Sequence, residues 1–379
     1  GAGVVFSGPD TLITGGTIIK EGDGALRMRA DHFLTNNWMV NAGTLEAGAF
    51  GSALGSGTVI VNAGGRIASQ NTVVLNNISL AGGELGTRSG DAGDFSGQIE
   101  VTADATVALR SYTTPANGQH IMISGVLSGS GGLTISGAPG SNPNGAKALI
   151  LTHPDNTFSG TITVSAEQSL IVTGNLVPAS HVLVDGRLGG NGTVGNVAVN
   201  AFATLAPGLG ANTFVGITQP NPVFDAAGIF SVARDLTLAN GSILALDLDH
   251  GFGASPAPGT DYDQLVIGTG SGLVSNGAVT LEGGELVLTI GLSGVLPTDR
   301  FFILANDGAD PITGTFNGMP DKSLLTLNGQ MFQISYDADM TSGSFTGGND
   351  VALFAVPETG TVGLLLFGST LLMRRRQRR

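Results

Sequence analysis

Asp247 and Asp249 stand two positions apart in Leu244-Ala245-Leu246-Asp247-Leu248-Asp249, so on an extended strand both carboxylates face the same side. His250 follows directly, and Asp261 and Asp263 repeat the spacing a short loop later. Hard carboxylate oxygens gathered in this way suit a calcium ion, and a carboxylate pair also suits acid–base hydrolysis of a glycoside. The same residues equally make an acidic strand end and a solvated loop. Spacing alone leaves these readings open. Asp307, Asp310, Asp337 and Asp339 form a second acidic group, and Gly347-Gly348-Asn349-Asp350 has half of a calcium-binding nonapeptide without its spaced second aspartate.

Other chemical signals are weaker. Gly190-Asn191-Gly192-Thr193-Val194-Gly195 matches a dinucleotide-binding pattern, but a chain with 61 glycines produces such matches by chance, and no helical pattern follows to offer amides to a pyrophosphate. His32, His120, His153, His181 and His250 show no metal-binding pairing, and no serine sits in a Gly-x-Ser-x-Gly elbow. Trp38, the only tryptophan, suits either a sugar platform or a core filler. Asn77, Asn191 and Asn240 fit the glycosylation pattern, which turn asparagines generate automatically. With no cysteine, the chain has no disulfide, thiolate catalysis or cysteine-zinc site. No cofactor and no catalytic residue is expected.

The scaffold that would position these groups is built from small and β-branched residues. Glycine is abundant, aromatics make 6% and charged residues 12%, a composition unlike that of a helical or α/β enzyme. One kernel recurs: an apolar residue, a short Asn/Ala/Gly turn, then another apolar residue, with alternation on both flanks. It reads Val40-Asn41-Ala42-Gly43-Thr44-Leu45, Val61-Asn62-Ala63-Gly64-Gly65-Arg66-Ile67, Leu80-Ala81-Gly82-Gly83-Glu84-Leu85 and Val101 to Val107. It returns as Val164 to Leu170, Val184 to Leu188, Val199 to Leu205, Leu238 to Leu244 and Leu281 to Leu286. Early copies start roughly 20 residues apart, the length of one rung of a parallel β-solenoid. Strands this short cannot bury an apolar side alone, whereas stacked rungs can. A β-sandwich is the competing architecture.

These lines resemble the autotransporter-associated β-strand repeat of bacterial passenger domains, most closely over Asn156 to Val164, Leu188 to Val194 and Thr204 to Gly208. The resemblance implies an all-β, right-handed parallel β-solenoid. Turn-rich stretches at Ser111 to Gln119 and Gly137 to Ala146 read as loops leaving the stack, and Pro207 to Ala227 as a longer interruption. The expected organisation is repeats over 1–206, an insertion at 207–228, continued repeats and a cap over 229–350, and a tail over 351–379. Phe301 to Leu304 and Phe332 to Tyr336 supply the cap, with Gly347 to Leu353 as the last strand.

The tail has three parts in order: Val356-Pro357-Glu358-Thr359-Gly360, the apolar run Thr361 to Met373, and a basic cluster of Arg374, Arg375, Arg376, Arg378 and Arg379. Guanidinium groups are expensive to move across hydrocarbon, so this end is expected to stay cytoplasmic while everything before Val356 lies outside. At about 1.5 Å per residue the run reaches roughly 20 Å against a bilayer core of about 30 Å, a marginal span suited to a tail held briefly and then cut. The layout resembles the PEP-CTERM sorting signal read by exosortases. Thr359 departs from it by replacing the usual second proline, which brings the motif close to the Leu-Pro-x-Thr-Gly signal of Gram-positive sortases. The chain begins Gly1-Ala2-Gly3 without methionine, so the true start is expected upstream.

Of the 16 Lys and Arg residues five lie in the tail, as does Glu358 of the 29 acidic ones, leaving a body with 11 basic and 28 acidic residues and a net charge of −17. That disfavours nucleic acid and anionic lipid as partners of the body. The expectation is a non-enzymatic exported surface or matrix protein, processed by an exosortase-type transpeptidase or a sortase and associated with exopolysaccharide. The alternatives are a β-helix polysaccharide lyase or hydrolase, and an adhesin or glycan-binding module using the insertion loops, Gly137 to Ala146 among them. A lyase would need two of Arg27, Arg29, Arg66, Arg88, Arg110 and Lys147 gathered on a carboxylate pair.

Overall fold

Each kernel is a corner between two strands. Val40 ends the strand Asn37–Val40, Asn41 and Ala42 turn, and Gly43–Gly48 begins the next. Gly43 takes φ +66°, a left-handed value that costs a side-chain-bearing residue but not glycine. The computed structural model describes residues 4–6, 16–48, 50–88, 92–109, 120–137, 148–209, 227–250, 255–268, 277–291, 295–296, 298–306 and 310–356. Among these every regular element is a strand.

The strands form sheets of 13, 9, 6 and 7 members, paired in parallel except at the C-terminal end. The chain visits them in a fixed cycle. Ile78–Ala81 lies in the six-stranded sheet, Glu84–Thr87 in the 13-stranded, Gly93–Phe95 in the nine-stranded, and Ile99–Ala103 returns to the six-stranded sheet one rung further on. The six-stranded sheet ends at Leu127–Gly129; from Thr193–Val194 the seven-stranded sheet takes the third place in the cycle. This all-β, parallel, cyclic pairing is consistent with a β-solenoid, not with the β-sandwich alternative. Pairing also runs across the interruption after Pro207, since Asn196–Val199 pairs with Leu236–Leu238 and Thr204–Pro207 with Ile243–Leu248.

Register places like on like. In the 13-stranded sheet Leu26, Leu45, Ile67, Leu85, Val107, Ile135, Val164, Val184, Val199, Leu238 and Leu281 follow one another in a single inward column. All but the half-buried Leu26, which packs against it, belong to one core that runs from Met28 to Ala355. Each fully buried aliphatic contributes about 1.5–3 kcal/mol, and no rung closes its core without its neighbours.

Trp38 fills that core. It is 2% exposed, and its indole Nε1 donates to the Leu54 carbonyl at 2.9 Å, so it is not a sugar platform. Trp38→Phe should cost about 1–2 kcal/mol in urea unfolding, since it leaves the Leu54 carbonyl buried without its donor.

The C-terminal end changes pairing. Arg300–Asn306 pairs in parallel with Gln264–Ile267 on one side and antiparallel with Asp350–Ala355 on the other. Gln330–Ala338 and Leu324–Leu327 continue antiparallel. Phe301 and Phe332 meet edge to face at 6.0 Å between ring centroids, closing the core.

Candidate functional site

The aspartates around residue 250 come near one another but are occupied by the chain itself. Asp263 is 1% exposed; its Oδ1 accepts from the Gly228 amide at 2.7 Å and its Oδ2 from the Asp247 amide at 2.8 Å. Burial pushes its carboxyl up to about 7, against the pull of those two hydrogen bonds. Asp247 is half-buried and interacts electrostatically with Asp263 and with Arg187. Asp249 points the same way but is exposed. Asp261 turns elsewhere: its Oδ2 accepts from the Ala257 amide at 2.8 Å and lies 3.5 Å from His250 Nδ1. His250 Nε2 lies 3.6 Å from Asp299 on its far side. Among the described residues no group of three or more His, Asp or Glu side chains is placed to hold a metal ion.

The second acidic group is likewise built into turns. Asp339 accepts from the Thr341 and Ser342 amides and from the Ser342 hydroxyl, and these bonds, the hydroxyl's first, hold its carboxyl below the usual range. Asp337 accepts from the Ser335 hydroxyl at 2.8 Å, and the Asp310 main-chain carbonyl accepts from the side-chain Nδ2 of Asn306 and of Asn349. Asp307 lies outside the described residues. Asp350 starts the last strand and pins the Asn306 and Met340 amides at 2.8 and 2.7 Å. The Gly190 to Gly195 stretch is rung-stacking backbone: a Cβ at Gly190, Gly192 or Gly195 would stand 2.1–2.2 Å from a carbonyl oxygen of the preceding rung.

A different set of residues frames an open site. On the outer face of the 13-stranded sheet, Thr44, Arg66, Glu84 and Thr106 occupy one register column on four successive rungs. Beside them the corner glycines Gly43, Gly64, Gly65, Gly82 and Gly83 bring no side chains, leaving a groove of about 350 Å³. Arg66 Nε meets Glu84 Oε1 at 2.7 Å, and a terminal guanidinium nitrogen donates to the Thr87 carbonyl at 2.7 Å. The guanidinium lies across Gly86, where a Cβ would come within 2.6 Å of it. In the adjacent column Arg27 pairs with Glu46 at 2.5 Å. Each guanidinium thus faces its own carboxylate on the next rung, so the gathering of two cations on a carboxylate pair does not occur at these positions. Arg110 and Lys147 lie outside the described residues.

Of the tail motif, Val356 is described: its amide donates to the Met331 carbonyl at 2.8 Å, and its carbonyl accepts from the Gln330 side chain at 2.9 Å. Pro357, Glu358, Thr359, Gly360, the apolar run and the arginine cluster lie outside the described residues. Among the described residues no helix is long and apolar enough to cross a membrane. No protein-family model matches the chain, and neither does any curated protein.

Proposed function

We propose that the chain is a non-enzymatic structural protein of the bacterial surface or extracellular matrix. Its body is a right-handed β-solenoid rod, and its C-terminal signal is cleaved on export. One observation carries the reading: a continuous 13-stranded ladder over a single core is joined, in sequence, to the motif, apolar span and arginine cluster of 356–379. Hydrogen-bonded rungs resist bending and extension together, which suits a load-bearing element. The antiparallel strands at the C-terminal end cover the last apolar rung before the tail departs, so cutting after Val356 leaves the core closed. The transpeptidase is an exosortase, with a sortase as the alternative, and the matrix partner is an exopolysaccharide.

The test is intact mass and fractionation of the protein expressed in its own host, beside a variant lacking Arg374 to Arg379. The expected wild-type product ends between Val356 and Gly360 and is found outside the membrane, while the variant stays unprocessed. Full-length wild-type protein in the cytoplasm would overturn the proposal.

A further inference from the structure

We infer that the outer face of the 13-stranded sheet, over its early rungs, binds an anionic polysaccharide strand. The chemistry recognised is a row of carboxylates or sulfates on a hydroxyl-rich chain. The inference rests on the matrix reading of the body and names the class of its partner.

The body carries only 11 basic residues, yet Arg27, Arg29, Arg66 and Arg88 fall on this one face within four successive rungs. Arg27 and Arg66 are neutralised by Glu46 and Glu84. Arg29 and Arg88 are not: they make no ion pair among the described residues, and Arg29 Nε is shielded from solvent without a hydrogen-bond partner. They share a column. Gly48 pairs with Gln70, one step beyond the Met28–Ala47 and Ser69–Thr87 pairs, so Arg29, Gly48, Gln70 and Arg88 follow one another across the rungs. At about 4.8 Å per strand the two arginines start about 14 Å apart, with a glycine and an amide between them.

A polyanion along the rod therefore meets two guanidinium forks, each able to hold an oxyanion through two donors. The strongly acidic remainder of the body does not prevent this, because at physiological salt charges more than about 8 Å away are largely screened. It does disfavour binding elsewhere, which confines the ligand to this face.

The test is affinity electrophoresis and calorimetry of the purified full chain with polygalacturonate, dextran sulfate and neutral dextran. The wild type should bind at least one anionic polymer, more weakly as salt rises, and bind dextran at least tenfold less tightly. Arg29→Gln with Arg88→Gln should weaken anion binding at least tenfold, while Arg234→Gln, an exposed arginine outside this face, should leave it unchanged. Preference for polygalacturonate over dextran sulfate identifies carboxylate as the natural group, and the reverse identifies sulfate; either supports the proposal. Equal binding by the double variant, equal binding of dextran, or no binding of either polyanion overturns it. None of these outcomes depends on tail processing, so this inference and the sorted-protein reading can fail separately.

Discussion

Gly57→Ala should be among the most damaging small substitutions in the chain, costing on the order of 3 kcal/mol or more. The glycine is buried, and a Cβ there would stand 1.8 Å from the Asn36 carbonyl oxygen and 2.4 Å from its carbon. Both atoms belong to the backbone of the rung below, so no rotamer change relieves the clash. Two rungs must separate locally, breaking ladder bonds and opening the core between them. Gly329→Ala provides the comparison. Its φ is +80° with no atom within 4 Å of the added Cβ, so only the left-handed strain of about 1 kcal/mol applies. Urea unfolding of both variants measures the difference. Equal losses would mean that the rungs are not stacked as closely as this corner requires.

That corner also marks where the sequence was hard to read. Asn36 and Asn76 sit two rungs apart, as do Gly57 and Gly97, because the asparagine of one rung takes the space that the glycine of the next leaves open. Asn76 Nδ2 donates to the Gly55 and Gly57 carbonyls at 3.0 and 2.8 Å, and a Cβ at Gly97 would strike the Asn76 carbonyl at 2.1 Å. A two-rung alternation is invisible to a search for a one-rung repeat. The apolar kernels were legible because a period-two pattern broken by Gly or Asn has few other uses. All nine kernels are corners, but not the same corner. Up to Val101 to Val107 they join the six-stranded to the 13-stranded sheet; from Val164 to Leu170 onward they join the 13-stranded to the nine-stranded. Either corner needs a tight turn between two inward apolar residues, so the residues are alike and only the pairing tells them apart.

The open site was hidden for a related reason. Thr44, Arg66, Glu84 and Thr106 are scattered in sequence and share one column only through stacking. A signal existed in the kernels, which place Thr44, Arg66 and Glu84 directly after the corner glycine and before the inward aliphatic. Aligning them as one column would have revealed the charged row. The aspartates are more conspicuous in the sequence because their spacing is short. Spacing reports which way a carboxylate points, not whether backbone amides already fill its lone pairs, and at Asp263 two of them do.

Asp263→Asn should flatten the dependence of stability on pH. The folded carboxyl titrates near 7 against an ordinary 3.8, so between those values the native state holds a proton that the unfolded chain has released. Unfolding free energy therefore falls as pH rises through that window, by at most about 4 kcal/mol for a shift of roughly three units. Asparagine carries no such charge, but it has one acceptor for two amides and strands either Gly228 or Asp247, at a cost of about 1–3 kcal/mol. The variant should thus lie within about 1.5 kcal/mol of the wild type at pH 5 and be more stable than it by about 1–3 kcal/mol at pH 8. Asp94 and Asp350 are also raised by burial, but both proteins contain them, so the difference between the two curves isolates Asp263. Thermal unfolding across pH 4.5 to 8 gives the measurement. Parallel curves would mean that Asp263 stays ionised throughout, with its two amide bonds outweighing the desolvation. Asp263 would then act as a permanently charged clasp, holding the Gly228 amide to the strand Ile243–Leu248.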